Sequence, residues 1–319
     1  MSKKNHKPDI PQPAHAKYRD EPLPWQSPKS SNEDPECPSK LQSILDSPSY
    51  VPAVEDVDFL DGDDARGVRL QLDYLKPDRL LKQHGVKHTI VVFGSTRIVE
   101  PSAAQEKVEK TREAVRLKPD DKELQRRLKV AQRILEKSHY YTVAREFATL
   151  VAKAGNGPLD SRLVVMTGGG PGMMEAANRG ANDMGGKTIG LNITLPHEQY
   201  PNPYVSPELC FQFHYFSLRK MHFVLRARAL VAFPGGYGTF DELFETLTLI
   251  QTRKIKPIPI VLVGESYWRQ AFNIDFLVDE GVIDIEDRDL FWFAESAEDI
   301  WSGLQSWYKR NGEKLIPAD

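Results

Sequence analysis

The sequence predicts an α/β protein built on a doubly wound parallel sheet with helices on both faces. Three observations lead there. Short apolar runs at residues 89–93, 163–167 and 229–233 alternate with stretches of helical periodicity, the signature of strands in a parallel sheet covered on both sides. Each of these runs ends in a polar or glycine-rich turn. Turns of that kind, all following strands, gather on one sheet edge, where ligands of such folds bind near the topological switch point.

The elements follow in chain order. Residues 1–36 are rich in Pro, Lys, Ser and Asp and poor in apolar residues, so they are expected to be disordered or draped over the surface, with Tyr18 and Trp25 as anchors. Residues 37–85 read as an N-terminal helical subregion packed on the core. Val68, Leu70, Leu72, Leu75, Leu80 and Leu81 supply its apolar surface, and a break is predicted at Pro77. Residues 86–319 read as the main Rossmann-like α/β domain, the one that carries the motifs described below. Its first strand, at 89–93, opens into Gly94-Ser95-Thr96-Arg97.

Residues 100–138 form an insertion charged with both signs. Leu124, Leu128, Ala131 and Leu135 recur at helical spacing after Pro119-Asp120-Asp121. This predicts a projecting helical hairpin, its second helix running on past Phe147 and Leu150 toward Gly155, and its charge reads as a solvated face. Further strands are expected near 187–191, 211–215 and 258–263. Helices are expected from Ser217 and near 266–280 and 297–309.

The strongest motif is Pro234-Gly235-Gly236-Tyr237-Gly238-Thr239-Phe240-Asp241-Glu242. A glycine-rich turn between strand and helix leaves backbone N–H groups free to converge on a phosphate. It puts Glu242 in the first helical turn beside that cradle. Thr239 and Glu242 also have capping-box spacing, which needs no function; both readings stay open for Thr239. For Glu242 function is favoured, because three glycines in four positions exceed what capping requires.

Gly168-Gly169-Gly170-Pro171-Gly172-Met173 follows the second strand. It lacks the full Gly-x-Gly-x-x-Gly pattern, and no acidic residue closes the next strand, so a dinucleotide cofactor is not expected. A single phosphate or ribose phosphate suits it better. Arg219-Lys220 opens a helix on the same edge and is read as an anion-binding pair. Glu198, in Pro196-His197-Glu198, is either a ribose or base ligand or a solvent-facing carboxylate. His197 and His214 read as structural or solvent-facing rather than catalytic.

Composition excludes several classes. A net charge of −3, with 27% charged and 40% hydrophobic residues, fits an ordinary globular protein with no global attraction to nucleic acid or anionic membrane. No apolar run approaches the roughly 20 residues of a membrane span, and no apolar segment follows the N-terminal lysines as in a secretory signal. Cys37 and Cys210 are far apart and suggest a reducing, cytoplasmic setting. No zinc spacing and no Gly-x-Ser-x-Gly elbow occurs, and neither a metal nor a cofactor is expected.

These residues resemble the "lonely guy" (LOG) family of lysine-decarboxylase-like proteins. Its Pro-Gly-Gly-x-Gly-Thr-x-x-Glu signature is matched by Pro234 to Glu242, and its Arg-Lys pair by Arg219-Lys220. The Gly-Gly-Gly-Pro-Gly-x-Met-Glu-Ala stretch of the longer, purine-nucleotide-acting members is matched by Gly168 to Ala176, and a Pro-x-Glu element by Pro196 to Glu198. The resemblance covers about residues 88–310 and implies a Rossmann-like fold, usually dimeric or a higher homo-oligomer. It implies hydrolysis of the N-glycosidic bond of a nucleoside 5'-monophosphate, AMP or a cytokinin riboside monophosphate, to free base and ribose 5-phosphate. Arg219 and Glu242 are then the catalytic pair.

Gly94, Ser95, Gly168, Gly169, Gly170, Gly172, Met173, Glu198, Lys220, Gly235, Gly236, Tyr237, Gly238 and Thr239 are the candidate substrate- and phosphate-binding residues. The N-terminal extension and the 100–138 insertion depart from the short plant-type members and lean toward general purine salvage. Two alternatives are a non-catalytic nucleotide- or cofactor-binding protein of the same fold, and a pyridoxal-phosphate decarboxylase. Retention of both Arg219 and Glu242 argues against the first. For the second, no lysine context singles out a Schiff base.

Overall fold

The computed structural model describes residues 23, 26–195 and 200–317. Tyr18, Trp25 and the Pro196-His197-Glu198 element lie outside the described residues. Contacts divide the chain at Arg66, within the stretch 37–85 that the sequence groups together. The smaller unit contains α1 (Cys37–Leu45) and α2 (Val57–Asp61). The Asp56 side chain caps α2 by accepting the Phe59 amide at 2.9 Å.

α3 (Arg66–Gln83) belongs to the larger unit and continues through Pro77, where a break was expected. Proline there removes one helical hydrogen bond, but ties on both sides keep the helix whole. Asp73 accepts the His214 and Tyr215 amides, each at 2.9 Å. Asp78 accepts from Arg226 at 2.6 Å, and Leu81 is fully buried.

The sheet has seven strands: β1 (His88–Phe93), β2 (Leu163–Thr167), β3 (Thr188–Ile193), β4 (Cys210–Phe213), β5 (Ala227–Ala232), β6 (Ile260–Val263) and β7 (Phe291–Ala294). Their order is β4-β3-β2-β1-β5-β6-β7, and every neighbouring pair is parallel. β7 was not anticipated. The remaining helices are α4 (Pro101–Leu117), α5 (Lys122–Lys137), α6 (His139–Lys153), α7 (Met173–Asn182), α8 (Phe216–Leu225), α9 (Tyr237–Gln251), α10 (Glu265–Ala271), α11 (Ile274–Asp279) and α12 (Ala297–Arg310).

Successive strand side chains point to opposite faces, and here both faces are buried. Ile90, Val92, Val231 and Val263 pack with Phe147 of α6, Ala176 of α7 and Ile300 of α12. Val91, Phe93, Leu230 and Leu262 pack with Leu81 of α3, Phe223 of α8, Leu243 of α9 and Trp268 of α10. This explains why the strands read as unbroken apolar runs rather than alternating ones.

The 100–138 insertion is the expected hairpin, α4 against α5. Asp121 caps α5 by accepting the Glu123 and Leu124 amides at 2.9 and 3.1 Å. The second helix does not run on as predicted: it stops at Lys137, and α6 starts at His139. Ser138 makes the break, its hydroxyl donating to the Leu135 carbonyl at 2.7 Å in competition with the helical ladder. Among the described residues no helix is long and apolar enough to cross a membrane.

α6 and α7 lie close enough that α7 needs a glycine. A Cβ at Gly180 would collide with the Arg145 carbonyl and come within 2.9 Å of the Ala148 Cβ. Gly67 in α3 faces open space, with nothing within 4 Å. Gly180→Ala is therefore expected to destabilise by about 1–3 kcal/mol through overpacking. Gly67→Ala, governed only by helix propensity, should be neutral or stabilise by up to roughly 1 kcal/mol. Urea unfolding of the two variants checks both signs.

Candidate active site

The chain order builds the site. β1 is central; the chain walks outward through β2, β3 and β4, then crosses back to β5 on the other side of β1. The switch point therefore lies between β1 and β5, where their following turns diverge and leave a crevice. Three backbone bonds fix the loops there. The Phe233 amide donates to the Phe93 carbonyl at 2.9 Å, the Ser95 amide to Pro234 at 3.0 Å, and the Met173 amide to Ser95 at 3.1 Å. A cavity of about 670 Å³ opens at this junction, with Gly94, Ser95, Arg219, Glu242 and residues 235–239 in its wall.

The glycine loop opens α9. Gly236 is the N-cap, with no side chain capping the helix. The Thr239–Glu242 capping box is therefore not formed, and Glu242 stands in the second helical turn rather than the first. A Cβ at Gly236 or Gly238 would meet nothing within 4 Å. Packing within the chain thus gives no reason for glycine at either position, and the space they leave belongs to the cavity wall. Gly235 differs: a Cβ there would run into the Thr239 side chain. Its carbonyl accepts the Tyr267 hydroxyl, which holds the loop from the other side. Tyr237 is 96% exposed at the rim.

Glu242 is only 7% exposed, and among the described residues no donor hydrogen-bonds its carboxylate. Burial pushes its pKa up to about 7, against the opposing pull of the Arg219 and Lys220 charges. Arg219 is held at its base: Nε donates to the Leu191 carbonyl at 2.8 Å, and the guanidinium lies over the rings of Phe223 and Phe216 at 5.3 and 5.6 Å. Burial lowers its pKa and the Glu242 charge raises it. No ion pair joins the two side chains directly; they face the cavity as separate charges. A Cβ at Gly168 would lie 2.6 Å from Arg219 Nη2, so that glycine makes room for the guanidinium.

Several expectations are corrected by position. Lys220 is absent from the cavity wall; it is drawn away by Asp241 at 2.8 Å and Glu245 at 3.1 Å, and ties α8 to α9. Gly168, Gly169, Gly170 and Gly172 are buried and do not line the cavity. Their polar groups serve the interior: the Gly169 amide donates to Thr167 Oγ1 at 2.9 Å, and Asn202 donates to the carbonyls of Gly169 and Gly170 at 2.8 and 2.9 Å. Positive φ at Gly169 and Gly172 (71° and 72°) explains two of these glycines without a ligand. Met173 is fully buried, and a Cβ at Gly94 would come within 2.7 Å of it; the neighbouring Met174 lines the cavity instead. Glu198 lies outside the described residues.

Sequence reasoning missed a whole wall. Val130, Arg133, Ile134 and Lys137 of α5 line the same cavity, as do Arg97 and Tyr267. Treating the hairpin as a solvated face concealed them. Lys137 carried a signal, having no acidic residue three or four positions away to pair with on its helix. Among the described residues no group of three His, Cys, Asp or Glu side chains could hold a metal ion.

Fold and site together define a doubly wound α/β protein with a switch-point cavity, a glycine-loop helix start, a buried Glu242 and a half-buried Arg219. A family model described as "Possible lysine decarboxylase" matches residues 174–304. A probable cytokinin riboside 5'-monophosphate phosphoribohydrolase of Oryza sativa subsp. japonica is 30% identical over 147 residues, 45% of this chain and 58% of the relative. A second from the same plant is 29% identical, over 44% of this chain and 61% of the relative. A cytokinin riboside 5'-monophosphate phosphoribohydrolase of Arabidopsis thaliana is 27% identical over 47% of this chain and 70% of the relative. Over these stretches the chain is similar to LOG-type proteins. It spans 58% and 61% of the length of the first two relatives.

The raised Glu242 pKa has a consequence for stability. An unfolded glutamate loses its proton near 4.5, the folded one near 7. Between these values the folded state holds a proton that the unfolded chain has released, so stability falls as pH rises and is lowest above 7. Glu242→Gln removes the penalty. It should stabilise the protein at pH 8.5 by on the order of 3 kcal/mol and change little at pH 4.5. Denaturant unfolding at the two pH values checks this; equal effects at both would show that Glu242 ionises normally.

Proposed function

We propose that this chain hydrolyses the N-glycosidic bond of a purine nucleoside 5'-monophosphate, AMP or a cytokinin riboside monophosphate, giving free base and ribose 5-phosphate. The observation that carries the reading is Glu242: a buried carboxylate with no hydrogen-bond donor among the described residues, facing a switch-point cavity beside Arg219 and an open glycine loop. Burial of an ionisable group at that expense, in a cleft, is characteristic of a working residue. The activities for which the plant relatives are named agree with it.

The chemistry divides as follows. The free amides at the start of α9, in the turn of Gly236 and Gly238, receive the 5'-phosphate at a helix N-terminus. That remote binding energy positions the sugar. As the C1'–N bond breaks, its electron pair leaves on the base nitrogen and positive charge develops on the ribose ring. The Glu242 carboxylate stabilises that charge. Water adds through oxygen to C1', and its proton passes by way of Glu242 to the departing base. A carboxylate with a pKa near neutrality suits that transfer. Arg219, fixed through Nε, offers its outer nitrogens to the substrate and favours departure of the base.

Base release from a panel of nucleoside monophosphates, AMP first, tests the proposal by chromatography. Wild type should release free base and ribose 5-phosphate. Glu242→Ala should lose at least about a hundredfold in kcat while holding AMP within a few-fold of wild-type affinity. An active Glu242→Ala would remove Glu242 from the mechanism. A wild type that binds monophosphates and cleaves none would make this a nucleotide-binding protein.

A further inference from the structure

The charged hairpin contributes directly to the cavity. Many of its cations are neutralised by carboxylates of the same helix. Lys110 pairs with Glu106, Arg112 with Glu109, Arg116 with Glu113, and both Arg126 and Arg127 with Glu123. Arg133 and Lys137 are not. No carboxylate pairs with either among the described residues, although Glu136 lies three residues from Arg133. Among the described residues Lys137 Nζ reaches the Arg133 carbonyl alone, at 3.4 Å. One helical turn apart on α5, both side chains line the cavity that holds Glu242 and Arg219, and Arg97 joins them from the loop after β1.

The cavity therefore has an excess of positive charge. Arg97, Arg133, Lys137 and Arg219 face it against Asp241 and Glu242, and Asp241 is already committed to Lys220. Four cations against two carboxylates leave a formal charge of +2 when Glu242 is ionised. A phosphate monoester carries about −1.5 to −2 at neutral pH. Unpaired cations converging on a concave wall focus the field on an anion of that size. The apolar neighbours Val130 and Ile134 lie between and beside the two cations along α5 and line the same space. They lower the local dielectric, which strengthens any charge-assisted bond made there.

We propose that α5 is a substrate-recognition element, and that Arg133 and Lys137, with Arg97, bind the phosphomonoester end of the ligand opposite the glycine-loop amides. This deepens the nucleotide-hydrolase reading given above and rests on it for the identity of the nucleotide. The claim that these cations hold a phosphomonoester concerns binding and is testable without turnover. On this account the insertion raises affinity and selectivity for phosphorylated ligands, and the sequence between the strands gained a specificity wall.

The test is isothermal titration of the full-length protein with ribose 5-phosphate, and with ribose as the uncharged control. The proteins compared are wild type, the double variant Arg133→Ala/Lys137→Ala, its conservative form Arg133→Gln/Lys137→Gln, and Arg112→Ala/Arg116→Ala, which removes two self-paired cations of α4. Thermal unfolding reports whether each variant is folded. Loss of two charge-assisted contacts should weaken ribose 5-phosphate at least about tenfold in both cavity variants and flatten the salt dependence of binding. The α4 variant should bind like wild type, and ribose should not distinguish any of the proteins.

Folded cavity variants that bind ribose 5-phosphate as tightly as wild type would overturn the proposal. So would a wild type that does not bind it, or an equal loss in the α4 variant. Base release is followed in parallel to separate the two claims. Cleavage of AMP with unchanged KM in the cavity variants sinks the α5 assignment and leaves the hydrolase reading. Binding that depends on Arg133 and Lys137, with no cleavage of any monophosphate, does the reverse.

Discussion

The return of the chain across β1 is the constraint on which the rest depends. By placing β5 beside β1 after β2, β3 and β4 have been laid down on the other side, the fold forces two strand ends apart and opens a crevice between them. Every cavity residue is positioned relative to that junction. The Phe233–Phe93 and Ser95–Pro234 backbone bonds lock the two loops, and the Met173–Ser95 bond adds the start of α7. The glycines at 94 and 172 permit this closeness. A side chain at Gly94 would strike Met173, and one at Gly172 would lie 2.5 Å from the Ser95 carbonyl.

On that frame, the electrostatics follow from burial. α9 drives its first two turns into the junction, so Glu242 loses most of its water without acquiring a hydrogen-bond donor among the described residues. An ordinary salt bridge would have restored its charge, as it does for Asp160, where Arg162 at 2.6 Å drives the carboxyl far below the usual range. Arg219 stands off instead, anchored to Leu191 and laid over two phenylalanines. The two charges therefore remain available to a third party. Lys220 shows the contrast one residue along: it turns away, pairs with two carboxylates and becomes structural.

Much of this was legible in the sequence. Continuous apolar runs identified most strands, because both faces of the sheet are buried and no alternation is required. The glycines of 235–238 identified the helix start, and the Arg and Glu of the family signature do meet at one cavity. The misreadings have distinct physical causes. Pro77 was expected to end a helix, but tertiary ties through Asp73 and Asp78 override one missing hydrogen bond. The glycines at 168–172 looked like a second phosphate loop. Glycine that serves a positive φ and close packing has the same spelling as glycine that admits a ligand, and only the neighbours tell them apart. The α5 wall was concealed because which side of a charged helix faces solvent depends on its partner, and that information is not local.

The proposed N-glycosidase activity stands or falls with the buried carboxylate of Glu242 as its reacting group. The most direct measurement is the pH profile of base release from AMP by wild type between pH 5 and 9, run beside Glu242→Gln. The wild-type rate should rise with a midpoint near 7 as Glu242 loses its proton, and the variant should show neither the rate nor the midpoint. A profile flat across this range, or a variant that keeps the same rise, would contradict it.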